Sequence, residues 1–328
     1  MVSVHEAEAE ADGDLGQAGF DVVVAGSGML KQSVLDNLFY GAHDAARELS
    51  VGLWHPGRGN QVDADVPQSS QALALDVFGT LRHAKSRNRI CDHLAILLGV
   101  ETGGPWEVVL EFEDPDNLLQ ETHHKSQVDV VLRGNRSLIV LECKFTETSL
   151  ESCSQIGKTK KGLVQCDGNY EMQVNPSNQH EDFCALSGKG IRYWEYIPKV
   201  FQLPAREPHR PCPFSGAWYQ WMRTLVMAYA LGERHHLHAS AAVAFVGRPA
   251  MPLLERVRAE SEVMRKKLTG VVKFELLRIE KAPAMFEAAA EKGEKPMFHD
   301  LQQWVNAKVN WVEARMLSER MTRRILRR

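Results

Sequence analysis

Two short apolar runs constrain this chain more than any other feature: Gln127-Val128-Asp129-Val130-Val131-Leu132, then Leu138-Ile139-Val140-Leu141-Glu142-Cys143-Lys144-Phe145, joined around Gly134-Asn135. Apolar runs of this length flanking a Gly/Asn pair predict two strands of a hairpin. Side chains alternate faces along a strand, so Glu142 and Lys144 point the same way. With Leu132 set opposite Ser137, Asp129 lies opposite Val140, and Asp129, Glu142 and Lys144 share one face with Val131, Leu138 and Val140. The other face carries Val128, Val130, Leu132, Ile139, Leu141, Cys143 and Phe145. Both faces are apolar, which predicts a sheet interior covered on both sides. Two carboxylates and one ammonium are costly there unless paired or bound to a metal. A buried ion pair at a sheet end is the plain alternative. The surplus acid over a single lysine favours a divalent cation, Mg²⁺ or Mn²⁺.

The surrounding pattern predicts a helix from Leu30 to Val51, a Gly/Asn/Asp/Pro-rich loop from Gly57 to Pro67, and a helix capped by Ser69 or Ser70 that runs to about Lys85. Trp106 to Glu113 reads as a strand closed by the turn Asp114-Pro115-Asp116-Asn117. After a long irregular stretch from Thr146 to Pro213, Ser215 is expected to cap a helix from Ala217 to Leu231, and Ala239 to Val246 reads as a buried strand. A helix from Leu253, a strand from Val271 to Ile279 and a final amphipathic helix from about Phe298 complete the expectation. The apolar Val22-Val23-Val24 followed by Ala25-Gly26-Ser27-Gly28 hints at a dinucleotide loop, but Lys31 stands where its third glycine belongs.

The spacing Asp129-x12-Glu142-x-Lys144, within the order helix, three strands, helix, strand, resembles the PD-(D/E)XK nuclease superfamily, with Val128 in place of the motif's proline. The resemblance extends to Thr146-Glu147, Ser152-Cys153-Ser154, Cys184-Ala185-Leu186-Ser187, Arg192-Tyr193-Trp194, Cys212-Pro213-Phe214 and Tyr219-Gln220-Trp221-Met222-Arg223, which are similar to a bacterial restriction-endonuclease-like group and cover roughly residues 68–246. It implies an α/β fold: a restriction-endonuclease-like αβββαβ core, its mixed central sheet flanked by helices, with N- and C-terminal helical additions. It also implies a metal-dependent nuclease acting on DNA, RNA not being excluded, in host defence, restriction or repair. Asp129 and Glu142 would then hold Mg²⁺ with the Cys143 carbonyl, and Lys144 would orient or deprotonate the attacking water. Glu111 and Asp76 are further acids for a second metal position, although a surface or capping role is the ordinary reading of each. Tyr219, Gln220 and Arg223 would contact the scissile phosphate or the groups behind it. The polar stripe Gln220, Arg223, Thr224 is equally well read as a partly exposed helix edge. Two other functions stay open: a silent nucleic-acid binder on the same fold, and a metal-cluster protein that uses the fold as scaffold.

Cys153, Cys166, Cys184 and Cys212 all fall in the irregular stretch, where four soft ligands would suit Zn²⁺ or an iron–sulfur cluster. No CxxC pair is among them, and four buried thiols are an even alternative. Cys91 and Cys143 read as core residues, and His235, His236 and His238 as a polar turn at a helix end.

The organisation expected is a disordered acidic tail over 1–19, a helical extension over 20–67, a nuclease core over 68–250 with an insertion over 146–213, and a helix-strand-helix extension over 251–328. The net charge of −3 owes much to Glu6, Glu8, Glu10, Asp12 and Asp14 in the tail, and basic clusters remain at Arg82–Arg89 and Arg315–Arg328, so charge does not exclude a phosphate-bearing partner. With no basic-then-apolar leader, no apolar run long enough to span a bilayer and six cysteines, a cytoplasmic protein without a membrane partner is expected. A homodimer is compatible with the sequence.

Overall fold

The computed structural model describes residues 30–57, 62–121, 125–156, 159–160, 163–164, 166, 184–203 and 212–326. The acidic tail and the Ala25–Gly28 loop lie outside them. Among the described residues, five strands form one mixed sheet in the order β1-β2-β3-β6-β7: β1 Glu107–Glu113, β2 Gln127–Arg133, β3 Ser137–Lys144, β6 His238–Phe245 and β7 Lys273–Arg278. The pairs β1–β2 and β2–β3 are antiparallel, while β3–β6 and β6–β7 are parallel. Two short strands, β4 Thr159–Lys160 and β5 Leu163–Val164, pair antiparallel outside this sheet.

Helices cover both faces. On one side lie α1 Gln32–Asp36, α2 His43–Glu48, α3 Ser70–Ala74, α4 Thr80–His83, α5 Arg87–Leu97, α9 Ala282–Ala289 and α10 Lys295–Leu326, whose apolar residues join Val108, Val130, Leu132, Ile139, Leu141 and Ala242 of the sheet. On the other lie α6 Tyr193–Val200, α7 Tyr219–His235 and α8 Leu254–Arg265, packed on Val131, Leu138, Val140, Ala241 and Val243. Every residue of β3 is buried, as a strand walled on both faces requires. The residues expected as N- and C-terminal additions meet in the first layer, with Val34, Leu38 and Phe39 in the same cluster as Phe298, Leu301 and Val305.

Several expectations change. The single helix over Leu30–Val51 is two short helices with 3₁₀ turns between and after them. Ser69 does cap, its Oγ accepting from the Ala72 N–H at 3.1 Å, but between α3 and α4 a π turn spans Leu75–Gly79. Ser215 does not cap α7, which begins at Tyr219 behind Trp218. Helices α5, α6 and α9 were not anticipated; α6 lies inside the stretch read as irregular.

The β2–β3 register is offset by two residues from the expected one: Val131 pairs with Val140 and Leu132 with Ile139, so the same offset sets Asp129 level with Glu142. A shift of two preserves every facing, where a shift of one would have turned the acids into the opposite layer. Gly134 is required by closeness, since a Cβ there would stand 2.9 Å from the Gly103 carbonyl oxygen and 3.0 Å from the Trp106 ring. One facing differs. Val128 packs in the layer of Val131, opposite to Val130, and its partner Phe112 likewise leaves the layer of Leu110. Between Leu110 and Phe112 stands Glu111 with φ +51°, a left-handed residue that breaks the alternation of β1.

Candidate active site

That left-handed residue is one wall of a buried charged cluster. Glu111 on β1, Asp129 on β2 and Glu142 on β3 are 1 %, 9 % and 4 % exposed, so three adjacent strands each bury one carboxylate. A non-glycine residue held at positive φ costs roughly 1–3 kcal/mol and persists only where its surroundings fix it. Here Gln127 Nε2 donates to Glu111 Oε2 at 2.9 Å and to the Leu53 carbonyl at 3.1 Å.

The Leu53 contact brings in a residue that sequence reasoning missed. His55 Nε2 lies 3.3 Å from Glu111 Oε2, and ligand atoms of His55, Glu111 and Asp129 all fall within 4.8 Å of one another. The loop holding His55 is clamped at several points. Gln71 accepts from the His55 N–H at 3.1 Å and donates to the Leu53 carbonyl at 3.0 Å, and the Asp63 N–H reaches the His55 carbonyl at 2.8 Å. Nothing periodic marks His55 in the sequence; it lies in a loop placed by contacts far along the chain.

Lys144 Nζ is 3.0 Å from Glu142 Oε1, and the Cys143 N–H donates to Asp129 Oδ2 at 2.5 Å. Burial pushes the Asp129 carboxyl well above the usual carboxylate range, and the charges of Glu142 and Glu111 add to it. Burial also raises Glu142, against the pull of Lys144. Burial alone would lower Lys144, yet Glu142, Glu147 and Asp129 hold it above the ordinary lysine range, so it is cationic. The His55 pKa is raised, chiefly by its bond to Glu111. Even against Lys144, three carboxylates leave the cluster acid-rich, and the charges of Glu142 and Glu111 add to what burial does to Asp129. Oxygen donors with one imidazole are the ligand set of a hard divalent cation. The Gln220 side-chain oxygen, buried with no hydrogen-bond partner beside Glu142, is a further acceptor that such a centre or its waters would satisfy.

The remaining sequence-predicted residues fall into three groups. Gln220 on α7 reaches the cluster, donating through Nε2 to Glu142 Oε1 at 2.5 Å. Arg223 turns to a neighbouring network: Nε donates to Ser126 Oγ at 2.9 Å and stands 4.0 Å from Glu121, which also accepts from the Tyr193 hydroxyl and, at 2.6 Å, from Ser126 Oγ. Its charge still lowers Glu142. Thr224 bonds within its own helix, to the Gln220 carbonyl at 3.1 Å, and Tyr219 lies beneath the Arg223 guanidinium. The Cys143 thiol packs in the opposite layer from the acids.

Asp76 belongs elsewhere. The π turn carries it inward, where it is 0 % exposed and accepts from Lys308 Nζ at 2.5 Å, the Phe39 N–H at 2.6 Å and Trp304 Nε1 at 3.1 Å. It joins α10 to the core and is neither a surface acid nor part of the Glu111 cluster. Glu111 is likewise no surface acid.

Two openings lie beside the cluster. One, of about 280 Å³, is lined by Glu111 and Leu53 with Arg82 and Lys125. The other, of about 690 Å³, runs along Pro56, next to His55, and Thr146 and Glu147, just beyond Lys144, with Arg315 among its walls. No described helix is long and apolar enough to cross a membrane.

No curated protein and no solved structure matches the chain significantly. A family model does, over residues 30–307, a span that holds every strand of the five-stranded sheet, His55, Glu111, Asp129 and Glu142. The chain therefore belongs to the restriction-endonuclease family described as "Restriction Endonuclease associating with ARP".

Proposed function

We propose that this protein is a divalent-metal-dependent nuclease of the PD-(D/E)XK type that hydrolyses phosphodiester bonds in DNA. The observation that carries the reading is that His55, Glu111 and Asp129 bring ligand atoms within 4.8 Å of one another, with Glu142 level with Asp129 on the next strand and Lys144 in contact with Glu142. Family membership and the element order helix, three strands, helix, strand support it.

Asp129, Glu111 and Glu142, with His55 at the rim, would hold Mg²⁺ or Mn²⁺, and the Cys143 carbonyl is an additional oxygen at the same point of β3. When bound, the cation supplies charge neutralisation at the phosphoryl group and acidifies a water. The chain's own groups do the rest. Lys144 is cationic and fixed by Glu142, so it donates to the attacking water or to a phosphate oxygen and offsets charge that builds there. Gln220 donates to Oε1 of Glu142, the same oxygen that Lys144 contacts, and fixes its rotamer. Arg82, Lys125 and Arg315 line the openings and attract a polyanion despite the net negative charge of the chain. A role in host defence, restriction or repair belongs to the same proposal, and the family's description supports it.

Supercoiled plasmid, linear duplex and single-stranded RNA, each incubated with Mg²⁺, Mn²⁺ or EDTA, test the reading. Metal-dependent cleavage of DNA, lost in EDTA and in Glu142→Gln, is the expected result. Undiminished cleavage by Glu142→Gln, or no cleavage with either metal, refutes it.

A further inference from the structure

Away from the acid cluster, four separate pieces of chain bring their cysteines to one place. Cys153 follows β3, Cys166 follows β5, Cys184 precedes the 3₁₀ turn Ser187–Lys189, and Cys212 precedes α7. All four line a single cavity of about 20 Å³, room for one or two water-sized particles. Among the described residues the rest of the lining is mainly aromatic and aliphatic, with Tyr193 and Trp194 of α6 among it, and includes no carboxylate and no histidine. None of the four is in a disulfide.

The backbone around the sulfurs is arranged for thiolates. The N–H groups of Gln155 and Ile156 point at the Cys153 sulfur, and that of Phe214 at the Cys212 sulfur. Amides two and three residues beyond a cysteine, turned back on its sulfur, stabilise negative charge there. The sulfurs of Cys184, Cys153 and Cys166 all lie near that of Cys212.

We propose that Cys153, Cys166, Cys184 and Cys212 together bind one structural Zn²⁺ ion. Four thiolates are a tetrahedral set that closes the coordination sphere of a single Zn²⁺. Binding releases the thiol protons to solvent and involves no change of oxidation state. The ion ties the loop after β3 to the start of α7, which the Cys153 N–H already bridges by donating to the Ser215 carbonyl at 3.2 Å.

Full-length protein purified without chelator is analysed for metals, beside Cys184→Ser and Asp129→Asn. One zinc per chain in the wild type and in Asp129→Asn, and none in Cys184→Ser, is the expected result; the Asp129 variant separates this site from the acid cluster. Co²⁺ substituted into the wild type should show the visible bands of tetrahedral thiolate ligation, a readout that does not depend on any variant folding. Zinc lost equally from Asp129→Asn overturns the proposal. So do four thiols that react at once with Ellman's reagent in metal-free native protein that takes up no Co²⁺, iron with sulfide in place of zinc, or disulfides among the four.

Discussion

Replacing Asp129 with Asn makes the metal-free protein more stable and the metal-loaded protein less so. The Asn side chain keeps an oxygen for the Cys143 N–H and removes one charge from the cluster. Two like charges 4.8 Å apart, the outer limit for Asp129 and Glu111, repel by about 3.5 kcal/mol at an effective dielectric of about 20. Lys144 and His55 offset part of that, leaving a gain of roughly 1–3 kcal/mol once Asp129 is ionised. The sign with pH follows from the raised Asp129 pKa. Its contribution to wild-type stability is complete below its ordinary value of 3.8 and is lost as pH rises through the higher folded value, so the advantage of Asn grows with pH. For 328 residues, 1 kcal/mol moves Tm by about 1.5 °C, which puts the variant about 2–4 °C above wild type in EDTA at mildly alkaline pH. Metal at one hundred times its Kd stabilises wild type by about 2.7 kcal/mol, and the order of the two melting curves inverts. Differential scanning calorimetry with EDTA and with Mn²⁺ decides. An Asn variant that melts below wild type in EDTA, or that gains as much from Mn²⁺, refutes the reasoning.

Lys144→Met should cut turnover strongly yet leave Mn²⁺ binding by calorimetry nearly intact, because an ammonium offers a cation no ligand; loss of binding as great as in Glu142→Gln would make Lys144 a structural partner only. Lys308→Met leaves Asp76 without its counter-charge at 0 % exposure and should cost about 3–5 kcal/mol by denaturant titration, without changing cleavage per folded molecule. Asp76 is already raised by burial, so this cost shrinks as pH falls and the carboxyl protonates; a cost that grows toward acid would contradict the pairing.

The sequence by itself determined the sheet's central hairpin, because an alternating pattern of period two encodes which side chains share a face without reference to anything distant. Asp129, Glu142 and Lys144 therefore came out together even though the assumed register was off by two residues. Amphipathic spacing and an apolar run likewise marked α7 and β6. Tertiary structure alone decided what joins them. His55 reaches Glu111 only because Gln71 and Gln127, far along the chain, hold its loop by the Leu53 carbonyl. Glu111 reads as an ordinary strand acid until its left-handed backbone turns it inward. Asp76 and Arg223 find partners on α10 and around Ser126, and nothing local specifies either. The physical reason is the same in each case. Periodicity reports burial along one element, while ionic partners are chosen by desolvation, and desolvation exists only once separate elements have closed around the charge.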